Sequence, residues 1–172
     1  DLFIIQIKPK QGMSNHISNT IKIAAIQMNC IANDKKTNLE NALKHIEASA
    51  KAGATILALP EIFTMGYSCP TERKTDYCDE AERIPGPTTR AIGEKAKEHG
   101  LYVNTPIFEK TGPGKYYNSA ALIGPDGQVI DKYSKTHIPL SGGGIREILF
   151  QTGLRVSCIR DGCGKHWDHY ML

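Results

Sequence analysis

The stretch at residues 55–67, TILALPEIFTMGY, constrains the fold more than any other part of the chain. Its apolar first half predicts a buried strand, and Pro60 ends that strand because proline has no N–H to donate to a sheet ladder. Glu61 follows at once, and charged groups at the ends of buried strands are often catalytic in α/β folds. The stretch at 131–139, DKYSKTHIP, places Lys135 at the end of another predicted strand. Glu61 and Lys135 are therefore candidate site residues, with plain surface charges as the alternative.

Hydrophobic periodicity predicts a strand, a helix and a second strand in the first third of the chain. Residues 21–28 are apolar enough for a central strand. Thr37 and Glu40 have the spacing of a capping box, and Gly53 suits the left-handed residue that follows a helix. A strand–helix–strand order predicts that the two strands pair in parallel.

The middle of the chain predicts a long polar loop, a second helix and an antiparallel hairpin. The loop covers residues 68–85, and a helix follows from Pro87 to His99, with Gly100 after its end. Three strands are then predicted at 101–108, 116–123 and 128–134, the last two joined by the PDGQ turn at 125–128.

Composition is typical of one soluble globular domain. The 172 residues are 40% hydrophobic and 23% charged. The net charge of +3 is spread along the chain, which excludes a nucleic-acid footprint, and no apolar run is long enough for a membrane span. The cysteines are odd in number and irregularly spaced, which predicts reduced thiols in a cytoplasmic protein: Cys30, Cys69, Cys78, Cys158 and Cys163.

The chain is predicted to divide into three parts. Residues 1–20 have no clear period and are expected to be a leader outside the fold, with Met13 as the natural start. Residues 21–140 form the domain. Residues 141–172 follow neither the helix period nor the strand period, so we expect them to be an aberrant tail that follows the domain.

Three motifs in order resemble the carbon–nitrogen hydrolase (nitrilase) superfamily: LPEIF at 59–63, YNSAALIGPDG at 117–127 and KYSKTHIP at 132–139. The resemblance covers residues 21–140 and is closest to amidases of the N-carbamoyl amidohydrolase kind. It implies an α-β-β-α sandwich, of which this chain has the N-terminal part only. It also implies a homo-oligomer that needs no metal or organic cofactor and acts on a small-molecule amide or N-carbamoyl substrate.

The resemblance further implies a Glu-Lys-Cys mechanism, with Glu61 as the general base and Lys135 beside the developing oxyanion. The nucleophilic cysteine is not evident, because Cys158 and Cys163 do not follow an apolar strand as the family's cysteine does. Read one base later, the codons for 166–172 encode Ile or Thr, Gly, three further Ile-or-Thr codons and Cys, which resembles the family's nucleophile strand. We therefore expect a one-base slip near 140–146 and an inactive product.

Two alternatives remain open. Residues Cys158, Cys163, His166 and His169 could form a small zinc site, although the two histidines are closer together than usual. The chain could instead be a non-catalytic partner of an intact homologue.

His137 and the tyrosines Tyr67, Tyr116 and Tyr117 could line a pocket, but packing roles are the more common outcome for such side chains.

Overall fold

The structure, a computed structural model, describes residues 2–7, 20–65 and 75–137. The strands are β1 (Leu2–Ile7), β2 (Ile21–Ile26), β3 (Ile56–Ala58), β4 (Tyr102–Gly112), β5 (Lys115–Ile123) and β6 (Val129–Ser134). The helices are α1 (Lys35–Lys51) and α2 (Pro87–His99), and a short 3-10 helix covers Thr75–Glu80.

The six strands form one sheet in the order β1-β2-β3-β4-β5-β6. The predicted parallel pairing of β2 with β3 is confirmed, and β3 also pairs in parallel with β4. The pairs β4–β5 and β5–β6 are antiparallel, and the turn at 125–128 predicts the second of them. The mixed α/β class is therefore confirmed.

Both helices cover the same face of the sheet. Side chains of β2, β3 and β4 that point toward them, among them Ala24, Leu57 and Val103, are fully buried in one cluster with Ile46 of α1 and Ile92 of α2. Burying a valine, leucine or isoleucine side chain in this cluster contributes about 1.5–3 kcal/mol. This cluster fixes the sheet against the helices and so fixes the strand ends that carry the candidate site.

The termini of α1 and α2 confirm three predictions from the sequence and correct a fourth. Gly53 (φ 81°) has the expected left-handed conformation, α2 ends before Gly100 (φ 66°) as expected, and α2 begins at Pro87. The predicted capping box at Thr37 is wrong, because α1 begins earlier. Its N-cap is Asp34, whose side chain accepts a hydrogen bond from the Thr37 backbone N–H at 3.1 Å.

The buried carboxylate of Glu82 joins the N-termini of both helices. It accepts hydrogen bonds from the Thr88 backbone N–H at 2.8 Å and from the Thr88 hydroxyl at 2.6 Å, and it pairs with Lys35. The N-cap of α2, Gly86, has no side chain, and a Cβ there would lie 2.2 Å from the Arg83 carbonyl oxygen. Glu82 therefore supplies the cap that Gly86 cannot.

The N-terminal strand differs from the expectation that residues 1–20 lie outside the fold. Residues 2–7 pair antiparallel with β2, with Phe3 opposite Ala25 and Ile5 opposite Ile23. A short run of β-branched and aromatic residues is well suited to extend a sheet edge, which explains the difference. The boundary at residue 20 remains a prediction, as do the other domain limits.

Other predictions can be compared only with the described part of the chain. There, Cys30 and Cys78 are free thiols, as expected. Within it, no helix is long and apolar enough to cross a membrane. Tyr67, Cys69, Cys158, Cys163 and the expected aberrant segment at 141–172 lie outside the described residues.

Candidate active site

Glu61 is the first residue of the turn at 61–65, which follows β3 and is held by polar contacts with other parts of the chain. The side chain of the fully buried Asn38 donates to the Thr64 carbonyl oxygen at 3.0 Å, and the Asn33 N–H donates to the Met65 carbonyl oxygen at 3.4 Å. The next residue, Ile62, has φ 47°, which is rare for a β-branched side chain and costs about 1–3 kcal/mol. The turn is thus held in a strained conformation beside Glu61.

The structure brings Glu61 and Lys135 together. Lys135 Nζ lies 2.8 Å from Glu61 Oε1, although the two residues are 74 positions apart in the chain. The side chains of Glu61 and Lys135 are 40% and 31% exposed, so the ion pair is open to solvent and contributes about 0–1 kcal/mol to stability. The ion pair is therefore too weak to hold the two residues together by itself, and the surrounding fold positions them.

Asn118 is a member of the site that sequence reasoning missed. Its side-chain N–H donates to the same Glu61 Oε1 at 2.6 Å, and its backbone carbonyl oxygen accepts the Lys135 backbone N–H at 2.8 Å. Asn118 of β5 thus contacts both the acid and the residue that carries the ammonium. Asn118 lies in the motif at 117–127, but nothing in that pattern predicts that its side chain contacts Glu61.

The neighbouring aromatic and histidine side chains have other contacts. The Tyr116 ring lies 5.4 Å from the Phe108 ring and packs on the cluster of Ile62 and Met65, so it supports the turn that carries Glu61. A hydrogen bond with Cys78 raises the pKa of the Tyr116 phenol, which keeps it protonated. His137 Nδ1 lies 3.1 Å from the Thr136 hydroxyl.

This geometry can support acid–base chemistry on a small polar ligand. A carboxylate within reach of an ammonium and an amide N–H can take a proton, and the ammonium can stabilise negative charge that develops nearby. Within the described residues, no group of three or more His, Cys, Asp or Glu is arranged to hold a metal ion. The proposed zinc ligands lie outside those residues.

Comparison with known proteins identifies the family. The sequence profile of the carbon-nitrogen hydrolases matches residues 22–163, well over half of the chain. The chain belongs to the carbon-nitrogen hydrolase family. The profile match continues past Leu140, where the three motifs had ended the resemblance.

Several curated relatives are named omega-amidases. The omega-amidase NIT2 of Mus musculus is 35% identical over 120 residues, which are 70% of this chain and 41% of the relative. The omega-amidase NIT2-B of Xenopus laevis is 40% identical over 105 residues, 60% of this chain and 36% of the relative. The chain thus spans about two fifths of the length of the curated relatives it matches.

Solved structures confirm the nitrilase-type fold. The carbon-nitrogen hydrolase from Helicobacter pylori G27 superposes with a TM-score of 0.72 at 23% identity, over 81% of this chain and 47% of that chain. An amidase from Nesterenkonia sp. superposes with a TM-score of 0.69 at 19% identity, over 85% of this chain and 53% of that chain.

Proposed function

We propose that the Glu61–Lys135 pair is the acid–base half of an amidase site for a small linear amide or N-carbamoyl compound. The observation that carries the proposal is the 2.8 Å contact between Lys135 Nζ and Glu61 Oε1, with Asn118 donating to the same oxygen. The names of the two relatives above favour the amide over the N-carbamoyl compound.

In this mechanism a cysteine thiol attacks the amide carbonyl carbon, and Glu61 takes the thiol proton. Lys135 stabilises the negative charge on the tetrahedral intermediate. The proton then passes to the leaving amine, and Glu61 activates the water that hydrolyses the thioester. A general base of this kind contributes about 10²–10⁴-fold to the rate.

We further propose that the 172-residue chain does not complete this cycle. Neither Cys158 nor Cys163 follows an apolar strand in the printed sequence, whereas the reading frame one base later encodes a Gly–Ile-rich strand that ends in cysteine. Resequencing the gene across codons 138–172 tests the slip directly. An intact printed frame with no family-like sequence in the next frame would contradict it.

Ammonia release from small linear amides and N-carbamoyl amino acids tests the activity. We expect none from the 172-residue chain, and turnover from the chain translated in the shifted frame after residue 140. Glu61→Gln should lower that turnover by about 10²–10⁴-fold. Glu98→Gln is the matched control, because Glu98 pairs with Lys95 at 2.7 Å on the surface of α2.

Two results would change these proposals. Turnover by the 172-residue chain that is lost in Cys163→Ser or Cys158→Ser would show that the printed tail supplies the nucleophile. Full activity of Glu61→Gln in the shifted-frame chain would remove Glu61 from the mechanism. A non-catalytic partner role would instead predict co-purification with an intact homologue, and stoichiometric zinc in the purified chain would support the site at 158–169.

A further inference from the structure

A second buried carboxylate, Glu109 of β4, lies on the face of the sheet that the helices cover. Glu109 is 2% exposed and contacts one polar side chain on each of the two following strands. Its Oε1 pairs with the Lys132 ammonium of β6, and its Oε2 accepts the Ser119 hydroxyl of β5 at 2.6 Å. Ser119 Oγ also lies 2.9 Å from Ser134 Oγ of β6.

The direction of each hydrogen bond in this network follows from the number of protons. A hydroxyl has one proton to donate, and Ser119 gives its proton to Glu109 Oε2. The contact between the serines must therefore be a donation from Ser134 to Ser119. Each hydrogen bond of the network thus has one donor and one acceptor. The carboxylate, the ammonium and the two hydroxyls can make all of these contacts in only one relative position of β4, β5 and β6.

The network lies one residue from the candidate active site on two strands. Ser119 follows Asn118, and Ser134 precedes Lys135. Successive side chains of a strand point to opposite faces, so the two serines meet on the helix-covered side while Asn118 and Lys135 reach Glu61 on the other. Ser119 and Ser134 are also direct partners in the β5–β6 register.

The register of β5 and β6 is not fixed by their turn alone. The pairing shifts between Leu122 and Ile123, next to that turn, so the turn end contains an irregularity of one residue. A slip of one residue moves every side chain of a strand to the opposite face. Such a slip of β6 would carry Lys135 away from Glu61.

We infer that Glu109, Ser119 and Ser134 are positioning residues that lock the β5–β6 register at which Asn118 and Lys135 meet Glu61. A mismatched register would bury the Glu109 carboxylate without its donors, which is costly, whereas the surface pair of Glu61 and Lys135 is too weak to set the register. The inference builds on the proposed function only in taking Glu61 and Lys135 as the working pair.

Hydrogen exchange of single amides in the 172-residue chain tests this inference without turnover. The Lys135 N–H, bonded to the Asn118 carbonyl oxygen, reports the site end of the hairpin, and the Tyr102 N–H, bonded to Thr55, reports the central sheet. In Ser119→Ala we expect protection of Lys135 to fall about tenfold more than protection of Tyr102. The NMR signal of the Lys135 ammonium, held by Glu61, should broaden in the same variant.

Ser49→Ala is the matched control. Ser49 is equally buried, and its hydroxyl donates to the His45 carbonyl oxygen at 2.7 Å within α1. Its loss should lower protection of Lys135 and Tyr102 together and leave the Lys135 ammonium signal in place. Ser134→Ala provides a milder variant if Ser119→Ala does not fold.

The inference is overturned if the serine variants of the hairpin behave like Ser49→Ala in both readouts. Glu109→Gln should resemble Ser119→Ala, because glutamine keeps the shape but loses the charge opposite Lys132. An inactive shifted-frame enzyme with an intact Lys135 signal would contradict the proposed function and leave the register lock standing.

Discussion

At the scale of single residues, Asp34 combines a helix cap with a perturbed carboxyl group. The backbone N–H of Thr37 donates to its side chain and lowers the pKa of Asp34 from its ordinary 3.8. The folded chain therefore binds this proton more weakly than the unfolded chain. The stabilisation is present above the unfolded pKa and is lost as the pH falls through the lower, folded pKa.

We predict that Asp34→Ala lowers the melting temperature at pH 7 and that the difference from the wild type narrows below about pH 4. Asp34→Asn is the control, because asparagine also caps a helix but has no charge to lose. Melting curves between pH 3 and pH 7 measure both variants. A constant difference for Asp34→Ala over that range would contradict the assignment.

The residue types of the site were predictable from the sequence, but its geometry was only partly so. Glu61 and Lys135 stand out because each follows a predicted strand, and the motifs around them are specific. Asn118 does not stand out, since an asparagine in a strand has no pattern that predicts its partner. The left-handed conformation of Ile62 was also unpredictable, because tertiary contacts impose it against the preference of the side chain.

At the scale of elements, α2 approaches the β5–β6 turn through two glycines. A Cβ at Gly93 would lie 2.4 Å from the Gly127 carbonyl oxygen, and a Cβ at Gly127 would lie 2.6 Å from the Gly93 carbonyl oxygen. The backbone of the helix and that of the turn are thus nearly in contact. This packing fixes the turn end of the hairpin that delivers Lys135.

We predict that Gly93→Ala destabilises the chain by about 1–3 kcal/mol. Replacing glycine by alanine within a helix normally stabilises the helix by about 0.5–1 kcal/mol. The clash with the Gly127 backbone outweighs that gain. Gly112→Ala is the control, since its Cβ would come no closer than 4.0 Å to Lys115, and it should change stability by less than about 0.5 kcal/mol. Urea denaturation of both variants measures the change in the free energy of unfolding. A Gly93→Ala variant that is more stable than the wild type would contradict the close approach of the two backbones.

The order of the elements was predictable because hydrophobic periodicity indicates which residues are buried. The ends of the elements were less predictable, because neighbouring residues of similar chemistry can each end or cap an element. Asp34 was overlooked as the cap of α1 because Thr37 has the same chemistry three residues later. The pairing of β1 could not be predicted, since a run of six residues has no period of its own and its partner lies 14 or more residues away.

At the scale of the whole molecule, the face of the sheet opposite the helices carries apolar side chains. Phe3, Ile5 and Ile7 of β1 are 57%, 58% and 50% exposed, and Ile21 of β2 and Tyr102 of β4 are 41% and 42% exposed. The strand register places the three β1 residues opposite Ala25, Ile23 and Ile21 on one side. An exposed apolar face of this kind promotes association.

We therefore predict concentration-dependent association of the 172-residue chain, which a charge on this face should reduce. Ile5→Lys and Tyr102→Lys should lower the sedimentation-average mass at high concentration and leave the melting temperature nearly unchanged, because both positions remain in contact with water. Ile26→Lys is the contrasting variant. Ile26 lies on the helix-covered face at 5% exposure, and an unpaired charge there should cost about 4 kcal/mol or more. If Ile5→Lys and Tyr102→Lys lower the melting temperature as much as Ile26→Lys does, the face is covered within the folded chain, and association must have another origin.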